Sequence, residues 1–158
     1  MEKCSVLIRR AVKADAESLA KLYTELEKDA VHYQPEHFVM SDGSSRLNNG
    51  MFEDDAQALF VAEENGDIVG FVHIVLLKAK DIPCLRPQRN IYIQDMVVTK
   101  AYRSKGVGSR LMSAVKEYAK ANGAEFLRTQ VFPQNEDGMR FYEKNGFSLK
   151  MLTIECPL

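Results

Sequence analysis

Apolar positions in this chain fall in short runs separated by polar turns. Their spacing alternates between the two-residue period of strands and the 3.6-residue period of helices. Residues 5–11 (SVLIRRA) read as a first strand. Leu19, Leu22, Tyr23 and Leu26 recur at helical spacing behind Asp15, a residue of N-cap type, and predict an amphipathic helix. Residues 33–50 are turn-rich and predict a loop with a short helix; a second short helix is expected over 51–57. Two apolar runs, 58–63 and 67–77, flank Asn65-Gly66, a dipeptide suited to a tight hairpin turn, and predict an antiparallel pair.

The second half keeps this rhythm. A connection over 78–90 with two prolines leads into IYIQDMVV (91–98), a strand. Over 109–122, Leu111, Met112, Val115, Tyr118 and Ala119 share one helical face, and Asn122-Gly123 supplies a left-handed stop. EFLRTQVF (125–132) predicts a strand. Residues 135–145 predict a short helix with Asn135 as N-cap and acids in its first turn, closed by Gly146. FSLKMLTIE (147–155) predicts a last strand. This order implies one α/β domain over residues 1–158, built around a mixed sheet, with no repeat and no linker.

Charge and cysteine usage narrow the class. Twenty-one Lys and Arg balance 22 Asp and Glu, a net charge of −1, which argues against a nucleic-acid binder or an anionic-membrane binder. Cys4, Cys84 and Cys156 are far apart and form no C-x-x-C, so neither a disulfide framework nor a metal site is expected. No apolar run approaches membrane-spanning length and no signal peptide is visible. A cytoplasmic location with reduced thiols is the expectation.

Chemistry concentrates in AYRSKGVGSRLM (101–112), where a strand hands over to a helix. Gly106 and Gly108 permit positive φ and close approach to the backbone. The first amides of the following helix have no intrahelical acceptor and, with the helix dipole, favour an anion. Arg103 and Lys105 add positive charge. The best fit is a phosphate or pyrophosphate. The dinucleotide fingerprint fails, because Leu111 stands where Gly or Ala is required, and the P-loop fails, because Ser109 and Arg110 follow Gly108. A plain strand-to-helix turn with solvated cations explains this loop alone equally well.

The downstream sequence decides between them. R-x-x-G-x-G as Arg103, Gly106 and Gly108, followed by Asn135 and FYEKNGF (141–147), resembles the GNAT superfamily of acyl-CoA N-acyltransferases. The resemblance is strongest over 91–147 and weak before Ala58. It implies a GNAT-like fold with a mostly antiparallel mixed sheet, splayed at the cofactor strand and flanked by helices. It also implies acetyl-CoA as cofactor and acetyl transfer to a primary amine by direct attack in a ternary complex.

Residue by residue, the resemblance seats the cofactor pyrophosphate on the loop of Arg103, Ser104, Lys105, Gly106, Val107, Gly108 and Ser109. Met96, Val97 and Val98 would pair their main chain with the pantetheine arm. That pairing calls for a bulge in the 91–98 strand, a V-shaped opening beyond it, and one strand amide polarising the thioester carbonyl. Asn135 matches a contact to the cofactor arm, against the alternative of a helix cap alone. Tyr142 matches the tyrosine facing the sulfur, where a phenol can protonate the departing thiolate; the alternative is a core aromatic. Asp95, a carboxylate in an apolar strand, is the candidate base with a raised pKa; the alternatives are an anchor for the bulge or a partner for a cation.

Other polar residues have plainer readings. His73 reads first as a satisfied core or cleft histidine, and His32 and His37 as solvated loop residues. Glu27, Asp29 and Glu36 read as a solvated face, although they could attract a cationic amine. Lys78, Lys80, Arg86 and Arg89 read as a solvated basic loop. Residues 33–57 and 78–90 would choose among small-molecule and protein amines, and no pattern there names one. Dimerisation is common in the family, so a homodimer is compatible. The rival from another class is a catalytically weak acyl-CoA-binding sensor or assembly module on the same fold.

Overall fold

The computed structural model describes residues 5–158, so the Cys4 reading lies outside the described residues. Five strands form one sheet in the order β1-β2-β3-β4-β5: Leu7–Arg10, Gln57–Glu64, Asp67–Lys78, Arg89–Val98 and Phe126–Arg128. The first four are antiparallel in sequence, and β5 joins β4 in parallel. Four helices flank it: α1 (Ala16–Tyr33), α2 (Gly50–Glu53), α3 (Val107–Ala121) and α4 (Glu136–Lys144).

The period-two pattern of the strands divides the core into two layers. Val72, Ile74, Ile91 and Ile93 face α3, where Leu111, Met112 and Val115 are buried against them. Leu59, Val61, Phe71 and Val97 face the other way, onto Leu19, Leu22 and Tyr23 of α1 and Met51 of α2. Burial of this many aliphatic side chains, at about 1.5–3 kcal/mol each, is the main favourable term.

Turn chemistry behaves as the sequence implies. Asn65 and Gly66 both take positive φ, 52° and 85°, the conformation that lets two strands turn back with matching twist. Gly123 and Gly146 close α3 and α4 at φ 70° and 93°.

Four boundaries depart from expectation. Asp15 does not cap α1 with its side chain; the carboxylate accepts instead from the Val12 amide at 2.9 Å and from Nη1 and Nη2 of Arg9 at 2.8 and 2.9 Å. α2 stops at Glu53 because the Asp54 side chain accepts from the Ala56 amide and the Gln57 amide group, releasing Gln57 into β2. β5 ends at Arg128 because it diverges from β4 there. The last predicted strand, 147–155, does not form; Phe147 is half-buried against the α3 layer, 148–155 are exposed, and none has a strand partner among the described residues.

Candidate active site

The divergence of β5 creates the opening. β4 and β5 pair only at Asn90–Phe126, Ile91–Leu127 and Tyr92–Arg128. At the vertex the Thr129 hydroxyl donates to the Ile93 carbonyl at 3.0 Å. β4 continues to Val98, paired with β3 alone. Met96, Val97 and Val98 therefore lack a strand partner on their β5 side, and such an edge can hydrogen-bond an extended chain laid along it.

A bulge fixes what faces the opening. His73 pairs with Asp95 and Ile74 with Ile93, so Gln94 is an extra residue in β4. Ile91 and Ile93 point to the α3 layer, whereas Val97 points to the α1 layer. The inserted residue reverses the parity. Without it, Asp95 would follow Ile93 into the apolar core; with it, Asp95 emerges on the α1 side.

There Asp95 accepts from the Tyr23 hydroxyl and from Arg46 Nη2, each at 3.1 Å. Arg46 also stacks over the Tyr23 ring, 5.0 Å from its centroid. Burial, reinforced by the charge of Asp95 and the bond to it, holds the Tyr23 phenol protonated far above its ordinary range. His73 Nε2 bonds Gln57 Oε1 at 2.8 Å, while its Nδ1 is buried without a hydrogen-bond partner, 3.9 Å from Asp95 Oδ2. Tyr23, Arg46, His73 and Asp95, with Asn48 and Gln94, line a polar cavity of about 240 Å³. A larger, open concavity between β1 and α3 is lined partly by Arg10, Phe60 and Tyr118 and includes none of the strand, turn or helix residues described here as the opening.

The turn after β4 combines positive-φ residues with the uncapped start of α3. Ser104 and Gly106 take positive φ, 61° and 85°, and Gly106 precedes α3 without any side-chain cap. Val107 is anchored in the core, so the first amides of α3 are held in place while 103–106 are exposed. Arg103 does not project freely: Nε donates to the Val98 carbonyl at 2.9 Å, and Nη2 lies 3.4 Å from Asp29 and 3.9 Å from Glu25. Lys105 lies 5.3 Å over the Tyr102 ring. Gly108 is helical, and a Cβ there would meet the Phe141 ring at 3.0 Å; its smallness serves the contact between α3 and α4.

α4 closes the other wall. Asn135 Oδ1 accepts from the Gly138 amide at 2.9 Å and caps the helix. Phe141 and Tyr142 both pack against the α3 layer, and Tyr142 sits edge-on between Phe141 and Phe147. Burial pushes the Tyr142 phenol above its ordinary pKa; the Thr129 hydroxyl beside it pulls it back in part, and Tyr92 adds to the rise. Tyr142 belongs to the α3 side of β4 and Asp95 to the α1 side.

Comparison with known proteins agrees with this geometry. Residues 17–147 match the Acetyltransferase (GNAT) family. The chain belongs to the GNAT acetyltransferase family. An uncharacterised N-acetyltransferase of Bacillus subtilis, YhfO, is 31% identical over 143 residues, covering 89% of this chain and 88% of that protein. An L-2,4-diaminobutyric acid acetyltransferase of Marinococcus halophilus is 29% identical over 94 residues, covering 60% and 51%. Among solved structures, a mutant BH1408 protein of Bacillus halodurans shares the fold with TM-score 0.90 at 24% identity, covering 96% of this chain and 99% of that one. The aminoglycoside N-acetyltransferase AAC(6')-Iy, solved with CoA, has TM-score 0.72 at 18% identity, covering 96% and 98%. No helix among the described residues is long and apolar enough to cross a membrane.

In this GNAT acetyltransferase Asp95 and Gln94 line the polar cavity beside Tyr23, while several other polar residues have structural duties. Glu27 is not a solvated carboxylate: it is buried and accepts from the Ser41 amide and hydroxyl at 2.9 and 2.5 Å, tying the 34–49 loop to α1. His37 pairs with Glu155 at 2.9 Å, which raises its pKa, and His32 stacks on Tyr33. Tyr23, Arg46, Gln57 and Thr129 were not expected at the site. Tyr23 lies on the apolar stripe of α1 and reads as core, and Arg46 sits in a turn segment without periodicity. No local pattern marks either as a neighbour of Asp95.

Proposed function

We propose that this chain, acting over residues 1–158 as one cytoplasmic acetyltransferase unit, moves an acetyl group from acetyl-CoA to a primary amine by direct attack in a ternary complex. The observation that carries the proposal is the unpaired β4 edge running into a positive-φ turn at the start of α3. An extended thioester arm suits the first, and a pyrophosphate suits the second.

Bound acetyl-CoA would supply the acetyl thioester. Met96, Val97 and Val98 hold the arm through main-chain bonds, and one amide of this segment polarises the thioester carbonyl. Ser104, Lys105, Gly106, Val107, Gly108 and Ser109 bind the diphosphate, with Arg103 bracing the turn against α1. Asn135 positions the arm at the head of α4. The acceptor enters from the α1 side, where Asp95 takes the proton that the attacking nitrogen loses. Tyr142, on the other face, gives its phenolic proton to the departing sulfur. Its elevated pKa keeps that proton available at neutral pH. The products are an N-acetyl amine and free CoA thiol.

The test is thiol release from acetyl-CoA across a panel of primary amines, with mass detection of the acetylated product. Wild-type protein is expected to release thiol only when an acceptor is present. Asp95→Asn is expected to lower kcat about 100-fold or more. Binding of CoA with no thiol release on any amine would instead identify an acyl-CoA sensor.

A further inference from the structure

His73 is buried beside Asp95 and has no part in the reaction so far described. The two are paired across β3 and β4, and both side chains reach the polar cavity on the α1 side of the sheet. The ring nitrogen that carries the His73 proton is fixed from outside that cavity. Asp54 accepts from the Ala56 amide at 2.9 Å and from the Gln57 side-chain nitrogen at 3.1 Å. Both bonds lower the Asp54 pKa, the Ala56 amide more than Gln57, so the anchoring carboxylate stays an acceptor. With its nitrogen on Asp54, Gln57 turns its oxygen to His73 Nε2, 2.8 Å away. An amide oxygen only accepts, so His73 Nε2 is the donor. A neutral imidazole has one N–H, which leaves Nδ1 as a bare lone pair.

Nothing in the protein meets that lone pair. His73 is 7% exposed, and Nδ1 has no hydrogen-bond partner among the described residues. Buried acceptors ordinarily have a donor. The atom facing Nδ1 is a second acceptor, Asp95 Oδ2, at 3.9 Å, too far for a hydrogen bond between the two. Oδ2 takes the Tyr23 hydroxyl proton at 3.1 Å and keeps a lone pair, while Arg46 is occupied on Oδ1. The other groups on the cavity change little: Tyr23 stays a phenol, and Asn48, Met51 and Gln94 are uncharged. Arg46 and Asp95 are its charged groups among the described residues.

The two acceptors are spaced for one donor that carries two N–H bonds. A nitrogen about 2.9 Å from each spans the 3.9 Å gap with an angle of about 85°, so two ammonium N–H bonds reach both with a bend of about 12° each. Gln94, on the same cavity, lies two residues before Met96, where the proposed thioester arm begins.

We propose that the acceptor's primary ammonium group docks between His73 Nδ1 and Asp95 Oδ2, and that His73 takes the first of the two protons this nitrogen must shed. The catalytic half of this inference rests on the acetyl-transfer reading above; the docking half does not. An ammonium has no lone pair and cannot attack. Its N–H bond breaks with the electron pair left on nitrogen, and an Nδ1–H bond forms, giving an imidazolium beside the Asp95 carboxylate. The free amine attacks the thioester carbonyl, and the second proton goes to Asp95 as the C–N bond forms. One N–H remains in the amide product, and His73 returns its proton to solvent through the cavity. Gln57 and Asp54 are positioning residues, because they hold Nδ1 bare. A tertiary ammonium, with a single N–H, cannot bridge the pair.

Nitrogen-15 NMR of histidine-labelled protein tests the docking half directly. His73, assigned by its loss in His73→Gln, is expected to be protonated at Nε2 and bare at Nδ1. Methylammonium should move the Nδ1 resonance, and tetramethylammonium, which has no N–H, should not. A proton on Nδ1 with Nε2 bare, no response to methylammonium, or an equal response to both cations would overturn the inference. The catalytic half is read with an amine that the wild-type protein acetylates. His73→Gln should lower kcat/KM for that amine about 100-fold at neutral pH, with KM for acetyl-CoA within a few-fold of wild type. The loss should shrink below about 10-fold near pH 10, where an ordinary alkylamine of pKa about 10.4 sheds the proton unaided. An equal loss at both pH values would make His73 structural and overturn its part in the reaction. Should His73→Gln not fold, assignment by elimination with His32→Gln and His37→Gln leaves the wild-type spectra to decide. Should no amine be acetylated, the reaction reading fails, and the methylammonium spectra still judge the docking seat.

Discussion

The proposed reaction gives Tyr142 and Asp95, which lie in different surroundings, different tasks. Tyr142 is half-buried among Phe141, Phe147 and the α3 layer, and burial favours its neutral phenol. An acid works only while it holds its proton, so a raised pKa extends its useful range upward. Turnover is therefore expected to show no descending limb below the ordinary phenol value of about 10 that originates in Tyr142. Tyr142→Phe keeps the ring and removes the proton. Steady-state kinetics should show kcat reduced about 100-fold or more, with KM for acetyl-CoA within a few-fold of wild type. An unchanged kcat would remove Tyr142 from the reaction. At this scale the sequence was informative where a motif carried it. Arg103, Gly106, Asn135 and Tyr142 could be named because their motifs resemble those of the GNAT family. Tyr23 and Arg46 could not, because their meeting with Asp95 depends on how α1 and the 34–49 loop lie over β4, and no local spacing encodes that.

Among the elements, the two signature glycines do different work. Gly106 faces open space and is required by its φ of 85°. Gly108 is helical and is required by the Phe141 ring. Gly106→Ala should cost about 1–2 kcal/mol of stability and weaken acetyl-CoA binding, since the turn itself is reshaped. Gly108→Val should cost about 1–3 kcal/mol through overpacking and should shift α4, so that kcat falls with Tyr142. Chemical denaturation and calorimetric titration separate the two, and identical profiles would contradict this division. The bulge at Gln94 is the other element-level device. A sequence reading can expect a bulge from the resemblance, but the observable reason is the mismatch between Ile91, Ile93 and Val97, which fall on opposite faces. The hairpin at Asn65-Gly66 and the stops at Gly123 and Gly146 were legible because each depends on a short-range backbone preference.

For the molecule as a whole, the order of elements along the chain and the β2–β3 pairing follow from periodicity and turn chemistry, whereas the ends of β5 and the fate of 147–155 do not. β5 stops where its partner turns away, which is a relation between strands and not a property of EFLRTQVF. The 147–155 run has the composition of a strand, but among the described residues it makes no main-chain hydrogen bond to any strand. The divergence of β5 from β4 leaves the β4 edge at 96–98 unpaired, and the proposed coenzyme arm would lie along that edge. The most direct test of the central claim is hydrogen exchange on this acetyltransferase with and without CoA. Slower exchange confined to the unpaired β4 segment 96–98 and to the turn and first amides of α3, 104–109, is the expected result. Full CoA occupancy with those amides unchanged, and protection elsewhere, would contradict it.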